Sequence, residues 1–377
     1  MFYSFVDEIK NIRKENKISI NNKNSNRYSI IVDEENSTQS AYCSSIPIYN
    51  LHSKKYVSRK FVSEASGFVY RGSNSVVNIN ENGFVLKNAE GIAEFDFPVT
   101  NIRECGYKLI CSECEYYPTG NGIVVRSYTT EKPIIFHIHF DNKIYGLHTN
   151  SKCFSIMSDK FKPFFTISSI GIINDKGKIC SQAVVTYQKG SHNDYAILIE
   201  PATKSYGSIM VEINLYEQKI VQDTTVDSKY PDENNAFGGT AYIGDSYTFG
   251  EQWLYLRPDI SKIPYVHGKR IHKVNLYIPK LNISTQLLKV SQSARRFCSF
   301  GSTWDTKVES TTNDIEGENI NDYVVFDISK YMITPQQKTL IQPEGLILKS
   351  AHNNQGFTAI STGDNFWRPQ ILEINYT

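Results

Sequence analysis

The sequence predicts an all-β protein made of two antiparallel, jelly-roll-like β-sandwich domains with a short N-terminal amphipathic helix. Three observations predict this class. Aromatic residues make up 12% of the 377-residue chain, with 24 Tyr and 20 Phe, and aromatic residues favour strands. Short apolar or alternating segments recur between turn residues. No helical periodicity of three turns occurs between residues 20 and 377, which disfavours parallel α/β folds.

The N-terminal segment is the exception, because its apolar residues recur at helical intervals. Phe2, Phe5, Ile9 and Ile12 follow this spacing with charged residues between them, which predicts a short amphipathic helix. The helix could pack on its own domain or dock on a partner, and the pattern does not distinguish these two roles. Residues 1–20 are assigned to this helix and its linker.

Individual strands are predicted from alternation and from turn residues. The clearest alternation gives Ala93, Phe95 and Phe97 a shared buried face. The turn 71–74 lies between two apolar runs, which predicts a β-hairpin.

The strand candidates divide into two domains, because single cores rarely grow past about 250–300 residues. We expect a β-sandwich of unknown family at residues 21–216 and a second sandwich at 217–377. In the last predicted strand, Leu372, Ile374 and Tyr376 alternate and are expected to face the core.

Charge and hydropathy exclude several classes of partner. The formal net charge is +1, whereas nucleic-acid binders usually carry a basic excess. The short basic stretch 269–273 is interpreted as a solvated strand edge. Acidic residues interrupt the N-terminus before a signal-peptide core forms, and no run approaches the roughly 18 apolar residues of a membrane span. We expect synthesis in the cytoplasm, no nucleic-acid partner and no membrane partner.

The cysteine and histidine residues raise the question of a zinc site. Seven cysteines at irregular spacing form a poor disulfide framework, so mostly reduced thiols are expected. Cys111 and Cys114 form a Cys-x-x-Cys pair, and His137 and His139 share one face of a predicted strand. These are ligand types for tetrahedral zinc. A second Cys-x-x-Cys is missing, so we interpret them as core thiols beside surface histidines. We expect no zinc, and no cofactor apart from a candidate calcium ion.

Four acidic residues cluster at the start of the second domain, namely Asp223, Asp227, Asp232 and Glu233. Oxygen ligands in a loop suit calcium, but the spacing does not follow an EF-hand. Asp side chains in turns also accept hydrogen bonds from their own backbone. Calcium is therefore a candidate ion, with turn chemistry as the favoured interpretation.

The C-terminal domain carries a series of segments whose order and spacing are specific, although each segment is weak by itself. They are 222–228, 234–239, 242–244, 255–264, 274–278, 303–304, 326–329, 346–350 and 368–376. The series resembles the DNRLRE β-sandwich domain, a module of bacterial and phage surface and carbohydrate-binding proteins. Pro258 stands where that family usually carries an aromatic residue. Because proline removes a ladder donor, the strand is expected to end or bulge there.

The resemblance also implies a function. Residues 40–43 and 47–50 are similar to leaders that precede DNRLRE domains in signal-less proteins of gut Firmicutes and their prophages. The family carries no catalytic motif, and the sequence contains no Gly-x-Ser-x-Gly or Walker motif, so no enzymatic activity is expected. The resemblance implies a structural or adhesive protein of a phage tail or bacterial surface, assembled with other structural proteins or with itself and located on the virion or cell surface.

The alternative is a carbohydrate-binding protein that recognises surface or acidic glycans through the DNRLRE-like domain. Sugar faces stack on flat aromatic rings, so Trp253, Trp304 and Trp367 are candidate binding residues, with Arg257 as a fourth. The strand position of Trp253 also fits a core residue.

Overall fold

The structure is a computed structural model of the chain. It describes residues 5–50, 55–57, 59–140, 144–159, 162–191, 193–217, 219–311, 314–352 and 356–377. The chain forms two compact units. The terminal unit comprises Met1–Tyr49, Gln218–Ala236 and Ala241–Thr377, and the middle unit comprises Asn50–Glu217 and Phe237–Thr240.

The first elements are a helix and short strands. They are α1 (Phe5–Arg13), β1 (Ser29–Asp33), a 3₁₀ turn at Glu35–Ser37, β2 (Gln39–Ser44) and β3 (Tyr49–Asn50). In α1, Phe5 and Ile9 are buried, and Tyr323 Oη donates to the buried Glu8 carboxylate at 2.5 Å. The helix therefore packs on its own unit; Phe2 lies outside the described residues.

The middle unit contains eighteen strands within the described residues. They are β4 (Lys55–Tyr56), β5 (Val62–Glu64), β6 (Gly67–Arg71), β7 (Val76–Asn80), β8 (Gly83–Asn88), β9 (Gly91–Asp96), β10 (Arg103–Cys105), β11 (Lys108–Ile110), β12 (Cys114–Pro118), β13 (Gly122–Ser127), β14 (Ile134–Phe140), β15 (Gly146–Thr149), β16 (Cys153–Asp159), β17 (Lys162–Ile173), β18 (Ile179–Ser181), β19 (Ala183–Lys189), β20 (Asp194–Pro201) and β21 (Ser208–Leu215).

Two antiparallel sheets of the middle unit face each other as a sandwich. One has the order β10-β11-β12-β13-β21-β17-β16-β15 with β18 paired to β17; the other, which we call the groove sheet, has the order β19-β20-β14-β9-β8-β7-β6-β5. Aromatic rings fill the space between them: Phe84 stacks on Phe95 at 4.4 Å, and Phe95 meets Phe165 of the opposite sheet at 5.4 Å. Such ring pairs add to the burial of apolar area.

The rest of the terminal unit follows in the chain. Its elements are β22 (Val221–Asp227), β23 (Thr240–Ser246), β24 (Gly250–Pro258), 3₁₀ turns at Ile260–Lys262 and Pro264–Val266, β25 (Ile271–Pro279), β26 (Leu288–Gln292), β27 (Ile315–Glu316), β28 (Glu318–Ile320), β29 (Tyr323–Asp327), α2 (Ser329–Met332), β30 (Leu346–Ser350), β31 (Gly356–Ser361) and β32 (Ile371–Tyr376).

The terminal unit is also an antiparallel sandwich. One sheet has the order β1-β2-β32-β25-β29-β28, and the other has the order β27-β26-β30-β24-β23-β31 with β22 paired to β24. Leu254 and Leu256 from one sheet and Leu276 and Ile374 from the other share one buried cluster. The all-β class with a short N-terminal helix is therefore confirmed.

The main segment of the middle unit ends at Glu217, one residue from the expected boundary, but the N-terminal segment belongs to a different unit than expected. Residues 21–49 were expected in the first sandwich, but β2 pairs with β32 along its whole length, from Gln39 opposite Tyr376 to Ser44 opposite Ile371. Hydrogen bonding to the last strand therefore places the N-terminal strands in the terminal unit.

Two smaller expectations concern strand ends. The strand β24 ends at Pro258, as the missing proline donor predicted. The basic stretch 269–273, interpreted as an edge, instead runs into β25, which lies between β32 and β29. Lys273 in that strand is exposed, and so is Lys269 in the turn before it.

Among the described helices, none has the length and apolar character needed to cross a membrane.

Candidate ligand groove

A groove of about 680 Å³ lies on the solvent face of the groove sheet. Strands β7, β8, β9, β14, β19 and β20 and the turns after β7 and β19 supply its lining. The groove is thus formed by neighbouring strands of one sheet, whose opposite face is fixed by the core. A site on such packed strands holds its side chains more rigidly than a site on loops.

Strand alternation explains which side chains reach the groove. Along β14, residues 134, 136, 138 and 140 are buried and the residues between them are exposed, so His137 and His139 both point outward. Along β9, Phe95 is buried while Glu94 and Asp96 are exposed. The predicted common face of the two histidines is confirmed.

The strand registers place these groups in two adjacent rows. In the first row, His137 lies opposite Asp96 on one side and Ala196 on the other. In the second row, His139 lies between Glu94 and Asp194. Directly opposed residues have Cβ atoms about 4.5–5.5 Å apart, so two imidazoles and three carboxylates occupy one small area.

One contact within the second row orients an imidazole. His139 Nδ1 lies 2.7 Å from Asp194 Oδ1, and both side chains are about half exposed. The hydrogen bond fixes the plane of the ring. In the neutral imidazole it also assigns the proton to Nδ1, which leaves Nε2 as an acceptor.

Gly83 keeps the groove open beside the first row. It pairs with Asp96 and has a φ of +148°, and a Cβ atom built on it would lie 2.0 Å from the carbonyl oxygen of Phe95. A side chain therefore does not fit at this position. Its absence leaves the carboxylate of Asp96 reachable from the groove.

The groove combines acceptors and donors for a polar ligand. The carboxylates of Glu94, Asp96 and Asp194 accept hydrogen bonds, the two imidazoles do both, and Lys189 adds an ammonium group at the wall. The three carboxylates outnumber the one lysine, so the groove is acidic when the imidazoles are neutral. It suits neutral or cationic ligands rich in hydroxyl or amine groups.

A larger hollow of about 1050 Å³ lies on the terminal unit, but its charged groups bind one another. Arg13 makes a bidentate pair with Glu34, with N–O distances of 2.5 and 2.9 Å. Asp33 accepts from Asn21 and Gln39. These pairs occupy the groups that a ligand would need, so we take the groove as the stronger candidate.

The predicted aromatic site is largely occupied by protein groups. Trp253 is buried and packs against Trp304, with ring centroids 5.3 Å apart. Lys349 Nζ lies 3.4 Å from the centroid of Trp253, and Lys307 Nζ lies 4.2 Å from that of Trp304. These cation–π contacts cover ring faces that a sugar would use.

The other two predicted binding residues are half-buried. Trp367 lies in the loop between β31 and β32. Arg257 on β24 donates from Nε to the carbonyl oxygen of Pro343 at 3.2 Å. Burial and the nearby Arg296 lower the pKa of Arg257.

The calcium candidates have different surroundings in the structure. Asp223 accepts from the ammonium of Lys219 and Asp227 from the amides of Gln252 and Asn235, whereas Asp232 is exposed. Protein donors therefore occupy the two buried carboxylates. Among the described residues, no group of three His, Cys, Asp or Glu side chains is arranged to hold a metal.

The structure also separates the zinc candidates. Cys111 and Cys114 are buried with their Sγ atoms 3.2 Å apart, while His137 and His139 point to solvent from the groove sheet. The hydrogen bond with Cys114 lowers the pKa of Cys111 to about 7, although burial opposes this. The two thiols contact each other and form a pair distinct from the histidines.

Sequence reasoning missed Glu94, Asp96 and Asp194 as site residues. Alternation placed Glu94 and Asp96 on an outward face, and outward charges are common on any solvated strand. The informative signal is their position beside His137 and His139, which depends on strand pairing that alternation alone does not specify.

Comparison with known protein families found no family model that matches the chain. A search of curated proteins found no matching sequence. The resemblance of residues 218–377 to the DNRLRE domain stays a prediction.

Proposed function

We propose that the chain is a non-catalytic adhesive protein of a phage-tail or bacterial-surface assembly, and that the groove binds a hydroxyl-rich glycan. The observation that carries the binding proposal is the pair of adjacent rows, Asp96 with His137 and Glu94 with His139 and Asp194, on an open sheet face. The assembly role is supported by the resemblance of residues 218–377 and involves other structural proteins or further copies of the chain.

Sugar hydroxyls both donate and accept, and the groove offers partners for both. A carboxylate accepts two hydroxyl donors, and hydrogen bonds to a charged group contribute about 1.5–3 kcal/mol each. The acidic character of Glu94, Asp96 and Asp194 repels uronic acids and sulfated sugars. We therefore propose neutral or amino sugars as the ligand class, in place of the acidic glycans expected from the resemblance.

The proposal is tested by screening the full chain against a panel of neutral, amino and acidic glycans, followed by calorimetry on the strongest binder. Asp96→Asn and His137→Ala should each weaken binding about 10- to 100-fold, which corresponds to one lost charge-assisted hydrogen bond. Glu200→Gln is the matched control, because Glu200 is exposed on β20 outside the groove lining. It should leave the Kd unchanged.

The same screen distinguishes the groove from the DNRLRE-like domain. Trp304→Ala should not change binding if the groove is the site. Binding that is lost in Trp304→Ala and retained in Asp96→Asn would place the site on the terminal unit. Release of shortened sugars from the bound glycan would contradict a non-catalytic role.

A further inference from the structure

Three charged side chains meet inside the terminal unit. Lys219 Nζ lies 2.5 Å from Asp223 Oδ1 and also donates to Asp364 Oδ2. The side chains retain 12%, 1% and 9% of their exposure, respectively. Lys219 lies two residues before the start of β22, whereas Asp364 lies 145 residues later in the loop before β32. The cluster therefore connects two distant segments of the unit.

The surrounding backbone holds the carboxylates against the amine. Gly363 N donates to Asp223 Oδ2 at 3.0 Å, and a Cβ atom built on Gly363 would lie 2.8 Å from Asp223 Oδ1. The loop can therefore approach Asp223 this closely only with glycine at 363. Asp364 N in turn donates to Thr362 Oγ1 at 3.2 Å, which orders the loop around the reacting carboxyl.

The charge of the cluster requires a proton on one carboxyl. One ammonium and two carboxylates sum to −1, and burial of a net charge is costly. Burial and the charge of Asp223 raise the pKa of Asp364 well above its ordinary value. This shift favours a neutral Asp364 carboxylic acid beside the amine of Lys219.

We propose that Lys219 and Asp364 form an intramolecular isopeptide bond. Asp223 takes a proton from the Lys219 ammonium, and the free Nζ amine attacks Cγ of the neutral Asp364 carboxyl. A C–N bond forms, the C–OH bond breaks, and the hydroxyl leaves with the second amine proton as water. The third amine proton stays on the amide, and no oxidant or other reactant is needed.

Position and burial favour this condensation. The amine and the acid are held in hydrogen-bonding contact, which replaces an unfavourable encounter between two free groups. Burial also excludes water, which would hydrolyse the amide back to the acid and the amine if the pair were exposed. The product ties the start of β22 to the loop before β32 by a covalent bond.

The test is the intact mass of the full chain under denaturing conditions. The wild type should be lighter than its sequence mass by one water, and digestion should yield a branched peptide that joins the segments around Lys219 and Asp364. Lys219→Arg keeps the positive charge but should show the full mass. Asp223→Asn, which lacks the base, should show partial or no loss of water.

Lys273→Met is the matched control. Lys273 faces Asp327 at 3.9 Å in an exposed pair, so its replacement should leave the loss of water intact. A wild type of full mass would overturn the proposal. Loss of water that persists in Lys219→Arg would also overturn it, because ring closure of an aspartate onto its own backbone would then explain the mass. The measurement involves no ligand, so its outcome is independent of the groove proposal.

Discussion

Both units are antiparallel sandwiches, but different interactions stabilise the interior of each one. The middle unit is almost one continuous segment. Phe84 and Phe95 stack within one of its sheets, and the contact between Phe95 and Phe165 joins that sheet to the other. The terminal unit is assembled from three segments of the chain. Buried polar networks, including the cluster of Lys219 and Asp364, lie where those segments meet.

One such network lies on β32, which pairs with strands from two different segments of the terminal unit. Glu373 on β32 accepts from Tyr42 Oη of β2 at 2.8 Å and from Asn275 Nδ2 and Tyr277 Oη of β25 at 2.8 and 2.9 Å. Apolar side chains can pack against many partner strands. The Glu373 carboxylate accepts all three hydrogen bonds only when β32 lies between β2 and β25. We infer that polar networks select the partner strands in the terminal unit.

The largest expected effect comes from removal of residues 370–377, which deletes β32. The strand lies between β2 and β25 and buries Leu372, Ile374 and Tyr376. Each such side chain contributes roughly 1.5–3 kcal/mol, against a typical domain stability of about 5–15 kcal/mol. Calorimetric melts should show loss of the terminal unit's transition and retention of the middle unit's. Two unchanged transitions in the truncated chain would show that the terminal unit does not depend on β32 for its stability.

A smaller effect is expected from Glu373→Ala, which leaves the three donors of Tyr42, Asn275 and Tyr277 without their acceptor. Unsatisfied buried groups cost about 1–3 kcal/mol each, so a loss of about 3 kcal/mol or more is expected in the terminal unit. Urea unfolding measures this loss.

The control for this substitution is Glu318→Ala, because Glu318 is exposed on the edge strand β28 of the same sheet. It should change the stability by less than about 0.5 kcal/mol. Equal effects of the two substitutions would contradict a selecting role for the buried network.

The smallest expected effect is a pH dependence of the middle unit. Burial raises the pKa of Glu115, but hydrogen bonds from Lys108 at 2.5 Å and from Tyr117 outweigh it, so the pKa lies below its ordinary value of 4.5. A lowered pKa stabilises the folded state above pH 4.5, and this contribution is lost as the pH falls through the lowered pKa.

Melting temperatures between pH 7 and pH 3 check this prediction. Glu115→Gln should reduce the acid sensitivity of the middle unit's transition and leave that of the terminal unit as it is. The exposed Glu81 is the control, and Glu81→Gln should retain the wild-type profile. An unchanged slope in Glu115→Gln would assign the acid sensitivity to other carboxylates.

Much of the local structure could be predicted from the sequence. The alternation at 93–97 correctly placed Ala93 and Phe95 in the core, and the turn 71–74 indeed joins β6 to β7. These features depend on the period of side chains along one strand and on local turn chemistry, both of which are visible in a short window.

The pairing of distant strands could not be predicted in the same way. The segment at 39–44 forms β2, and no local property shows that its partner is β32. The groove has the same origin, because Asp96, His137 and Asp194 come from three strands whose registers bring them together. The tryptophans could be chosen as candidates from the sequence. The positions of lysines over the rings of Trp253 and Trp304 depend on the fold and could not be predicted.

The placement of β32 beside β2 also has a consequence for biosynthesis. Ser40 and its hydrogen-bond partner Asn375 are 335 residues apart, and a ribosome adds roughly 5–20 residues per second. The strands β1 and β2 are therefore synthesised roughly 20–70 seconds before β32. The middle unit is synthesised during that interval and can fold within it. In the nascent chain, the N-terminal strands expose an unpaired edge for this period, and such an edge is prone to pair with other chains.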